Sequence, residues 1–166
     1  MKTLILTLSL LTAISQVDAP RITSEDMEPL IGVKWEGELT YINGSDKAAV
    51  AIPAALSVSR QGEQQYLFAF SYPHEPDANR DTLLTIEDGG TVFGGEKVMS
   101  KERLEDGSLK VTTTETGEDD GREAVFRFTY VIGPSRFSTR KEVTYVGEEG
   151  AFFGSGYTFE NKGNSE

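Results

Sequence analysis

Residues 124–146 read AVFRFTYVIGPSRFSTRKEVTYV, and their pattern decides the fold. On the first arm Phe126, Phe128, Tyr130 and Ile132 alternate with Val125, Arg127, Thr129 and Val131. Past Gly133, Pro134 and Ser135, the residues Phe137, Thr139, Lys141, Val143 and Tyr145 alternate with Ser138, Arg140, Glu142 and Thr144. A period of two in aromatic and β-branched residues around a Gly-Pro turn predicts an antiparallel hairpin. With 133–136 as the loop, Ile132 faces Phe137, Phe126 faces Val143, Phe128 faces Lys141 and Arg127 faces Glu142. A slip of one residue would set Arg127 against Lys141 and scatter the aromatics over both faces, so the first register is expected. It leaves Lys141 on the aromatic face.

The same grammar runs outward from this hairpin. Residues 34–42 place Trp35, Leu39 and Tyr41 on one face, and Asn43-Gly44 is a strong hairpin turn. The turn also carries a glycosylation sequon, Asn43-Gly44-Ser45, which its hairpin role explains. The return strand, 48–60, contains Pro53, a mark of a bulge or an edge. Residues 64–72 set Tyr66, Phe68, Phe70 and Tyr72 on one face, and 73–79 read as an extended loop. Further strands are expected at 82–86, 91–98, 98–104, 109–114 and 152–160, with an acidic loop at 115–121. Residues 24–32 read as a short helix or helical turn capped by Ser24 and stopped by Gly32. About nine short strands joined by turns predict an all-β antiparallel up-and-down barrel with a short N-terminal helix, a β-sandwich being the second choice.

Residues 1–15 have the form of a secretory signal peptide, with 19 as the alternative end: Lys2 precedes an apolar run from Leu4 to Leu11, and small residues follow. The run is too short to span a membrane. Residues 16–32 form a lead-in, 33–160 the barrel domain and 161–166 a polar tail. An exported chain, periplasmic or extracellular, is therefore expected. There is no cysteine, which excludes thiolate chemistry and lipoprotein anchoring. The net charge of −11 argues against nucleic acid as a partner, because phosphate contacts need clustered basic residues.

Gly32 ahead of Trp35, then Gly37 and Leu39-Thr40-Tyr41 on a first strand, then a meander ending in aromatic strands, resembles the calycins. These are the lipocalins, the fatty-acid-binding proteins and their kin. The resemblance is to the superfamily rather than to the lipocalins proper. Gly32 precedes Trp35 by three residues, where the lipocalin signature has two, and Gly154-Ser155-Gly156-Tyr157 supplies no basic residue near that Trp. It implies a barrel that holds a small apolar or amphipathic ligand.

Catalytic chemistry finds little support. His74 is the single histidine and lies in a Pro-flanked loop without a nucleophile elbow nearby. Glu115, Glu118, Asp119, Asp120 and Glu123 surround glycines at a spacing better suited to a turn than to a calcium site. No enzyme activity, metal or cofactor is expected. The ligand-binding residues expected are Lys141, Tyr130, Tyr157, Phe128, Phe126, Phe68 and Phe70. Lys141 would hold a carboxylate with Tyr130 or Tyr157 while the tail lies among the phenylalanines. Two alternatives stand beside this: Lys141 escaping to the rim, and a solid-cored interaction or inhibitor domain acting through acidic loops.

Overall fold

The computed structural model describes residues 19–44 and 47–163. The expected signal peptide, 1–15, lies outside the described residues, as does the end of the polar tail. Among the described residues no helix is long and apolar enough to cross a membrane.

Ten strands form one closed barrel. They are β1 (Lys34–Ile42), β2 (Ala49–Arg60), β3 (Gln65–Ser71), β4 (Arg80–Glu87) and β5 (Val92–Phe93), then β6 (Glu96–Arg103), β7 (Leu109–Asp119), β8 (Arg122–Ile132), β9 (Arg136–Tyr145) and β10 (Phe152–Asn161). Each pairs antiparallel with its chain neighbours, and β1 pairs with β10 to close the ring. Closure leaves no sheet edge and rules out the sandwich. The opening hairpin has the expected register: Ile132 opposite Phe137, Phe126 opposite Val143, Phe128 opposite Lys141, and Arg127 opposite Glu142. Pro53 sits past the last β2–β3 pair, Ala55–Ser71, where its strand has β1 as partner and no β3 ladder to break.

Three expectations need correction. The run 91–98 is not one strand, because Gly94 and Gly95 both take positive φ and turn the chain between β5 and β6. The acidic segment 115–121 is not a loop. β7 continues to Asp119, and the turn is made by Asp120 and Gly121, again at positive φ. Its inward positions there are Glu115 and Gly117, opposite Phe126 and Ala124, so the apolar alternation fades although the ladder continues. The helix cap is Thr23, not Ser24: Asp26 accepts hydrogen bonds from the Thr23 amide at 2.6 Å and its hydroxyl at 2.9 Å.

One end of the barrel is plugged. The helix α1 (Ser24–Met27) and the 3-10 turn Glu28–Leu30 bury Ile22, Met27 and Leu30 against it. The Trp35 indole N–H donates to the Leu30 carbonyl at 3.1 Å, which gives a buried polar group its partner. Trp35 meets Phe137 edge-on at 6.4 Å, and Phe137 stacks on Phe159 at 6.2 Å. Lys101 donates to buried Asp26 at 2.6 Å, tying the plug to β6. Trp35, Tyr66, Phe93, Phe137 and Phe159 are fully buried, so this half is solid.

Candidate functional site: the open end of the barrel

The opposite end is open, and a second small core of Ala124, Phe126 and Val143 packs beside its clefts. A cavity of about 720 Å³ is lined by Lys141, Val143 and Tyr145 of β9, by Phe152 and Ser155 of β10, and by Ile42 of β1. A second, of about 380 Å³, is lined by Leu39, Ile52, Tyr72, Arg80 and Tyr157, and Ser155 lines both. Cavities of this size, mixing apolar walls with a few polar groups, suit small molecules.

The expected site residues divide into two groups. On β8 and β9, Phe126, Phe128 and Tyr130 follow one another at ring separations of 6.5 Å, and the Lys141 ammonium lies 3.8 Å from the Phe126 ring centroid. On the other wall, Phe68 neighbours Phe70 at 6.4 Å, and Phe70 meets Tyr157 at 4.8 Å. Alternation alone brings Lys141 inside, because each second residue of β9 faces the interior. Its ammonium is drawn to the face of Phe126, and among the described residues it has no ion pair. The nearby Asp119 carboxylate instead accepts the Tyr145 hydroxyl at 2.9 Å, which holds that phenol's pKa up.

Lys141 is not brought to either tyrosine hydroxyl. Tyr130 donates to both Glu96 oxygens, at 2.9 and 2.8 Å. Tyr157 lies 2.5 Å from the Tyr72 hydroxyl and accepts from Arg80 at 2.9 Å. Both phenols are pushed up, chiefly by burial, so both remain protonated. The sequence reading missed Glu96, Tyr72 and Arg80. Glu96 was hidden by the unseen turn at Gly94-Gly95, which starts β6 and aims its first side chain inward. Burial lifts the Glu96 carboxyl to about 7 in spite of hydrogen bonds from Thr113 and Tyr130. His74 is exposed in the loop between β3 and β4.

No family model matches the sequence, and no curated protein matches it. Among solved structures the chain is similar to the crystal structure of Rv2717c from M. tuberculosis. The TM-score is 0.56 at 10% identity, covering 86% of this chain and 100% of that one. At that identity the likeness is one of fold: both chains share the shape of an antiparallel barrel.

Proposed function

We propose that the chain is an exported, calycin-like binding protein that carries a small amphipathic anion in the open half of its barrel. The observation that carries this reading is Lys141. In a chain of net charge −11, an inward ammonium rests on an aromatic ring in a cavity that Asp119 and Asp120 also line, and it forms an ion pair with neither. Lys141 is half-buried and without a protein counter-ion, so a ligand carboxylate could pair with it. The apolar tail would lie along Phe126 and Phe128, where Val143 and Tyr145 supply further apolar wall. The residues committed to Glu96 and Arg80, Tyr130 and Tyr157, shape this interior without touching the carboxylate at Lys141.

Titration with hexadecanoate and hexadecanol tests the reading. Lys141→Met keeps the stem's packing and removes the charge. It is expected to weaken hexadecanoate about tenfold or more, the worth of a charge-assisted hydrogen bond, and to leave hexadecanol nearly unchanged. Equal effects on both ligands would contradict it. Export rests on Lys2 and the apolar run from Leu4 to Leu11. Protein recovered outside the cytoplasm should begin at Gln16 or Pro20, and a cytoplasmic product retaining Met1 would refute export.

A further inference from the structure

We infer that the open end holds a second anion subsite, made by Arg80, Tyr72 and Tyr157, so that the ligand is a two-headed dianion such as an α,ω-dicarboxylate. The inference rests on the reading of Lys141 given above.

Arg80 opens β4 opposite Phe70, and its guanidinium lies 5.3 Å from the Phe70 ring centroid. One N–H donates to the Tyr157 oxygen at 2.9 Å, and that oxygen is 2.5 Å from the Tyr72 hydroxyl. Either hydroxyl can donate in that contact, so one phenol proton, with the unused N–H groups of the exposed Arg80, is left without an acceptor among the described residues. A guanidinium and a phenol O–H at one cavity wall form a donor array, and an array of donors suits a carboxylate. Asn79 holds this corner in place by accepting the Tyr72 amide at 2.7 Å. Glu75 also lines the cavity but makes no ion pair with Arg80 among the described residues.

The placement separates this subsite from Lys141. Arg80 rises from β4 and Lys141 from β9, five places apart around the ring of ten strands, and the guanidinium reaches across to Tyr157 of β10. Each faces its own cavity, and Ser155 lies where the two cavities adjoin. Each cation thus offers its own place for a carboxylate. Lys101, which also turns inward, is already neutralised by Asp26 at the plugged end. Arg80 and Lys141 are left with ring faces and a phenol oxygen. Leu39 and Ile52 provide apolar wall beside Arg80, as Phe126 does beside Lys141.

Calorimetric titration of the full mature chain with hexadecanoate and hexadecanedioate decides the matter. The diacid is expected to bind about ten- to a hundredfold more tightly than the monoacid, the return on one added charge-assisted contact. Arg80→Met should abolish that advantage while leaving hexadecanoate affinity unchanged. Tyr72→Phe, which preserves the ring, should reduce the advantage several-fold. Lys141→Met should weaken both acids. Equal affinity of the two acids for the parent, or an advantage that survives Arg80→Met, overturns the second subsite alone. Failure of both acids to bind overturns the subsite together with the reading of Lys141.

Discussion

Glu96 sits at the start of β6, with its carboxylate closed off from water and hydrogen-bonded by Thr113 and Tyr130. Burial raises its pKa from 4.5 to about 7, and the Glu115 carboxylate pushes the same way. A raised acid binds its proton more tightly in the folded state than in the unfolded chain. Folding therefore suffers no penalty from this group below about pH 4.5, loses stability as pH rises toward 7, and carries the full cost above it. The shift corresponds to about 3 kcal/mol. Glu96→Gln cannot ionise. Urea unfolding should find the variant close to the parent at pH 4.5 and more stable than it at pH 8. Parallel pH profiles for the two proteins would show that Glu96 ionises in the barrel without penalty.

Between elements, the seam that closes the barrel is the most demanding contact. A Cβ on Gly37 of β1 would stand 1.9 Å from the Thr158 carbonyl oxygen of β10, a backbone atom that cannot step aside. Gly37→Ala should cost about 3 kcal/mol or more by forcing the two strands apart. Gly44→Ala, with nothing within 4 Å of its added carbon, should stay within about 0.5 kcal/mol. Thermal unfolding of both variants compares the seam with the turn, and equal melting points would contradict the tight closure. The strands at this seam and in the β8–β9 hairpin were legible because their inward residues are aromatic or branched. The last turns of β7 were not, since Glu115 and Gly117 face inward near the open end, where water can satisfy them. The two-residue strand β5 was lost because its Gly94-Gly95 turn lies within a run of otherwise strand-like residues.

On the scale of the whole molecule, the barrel is two half-barrels of different character. The plug fills one, with Trp35, Phe137 and Phe159 stacked beneath α1 and the 3-10 turn. The other opens into a cavity between β9 and β10, with Ile42 of β1 and Asp119 at the end of β7. Lys141 and Phe126 were legible as neighbours inside it, because hairpin register alone brings them together. Arg80 and Tyr72 were not. They flank the 73–79 loop, and the wall they face is set by ring closure among strands far apart in sequence.

The central claim is that the open half holds an amphipathic anion with its head at Lys141. A crystal structure of the protein grown with 16-bromohexadecanoate tests it most directly, because anomalous scattering locates the tail and electron density the head. The account predicts a carboxylate oxygen within hydrogen-bond distance of the Lys141 ammonium and a bromine peak inside the barrel. Bromine on the outer surface, or an open end filled by side chains with no ligand between Phe126 and Tyr157, would contradict it.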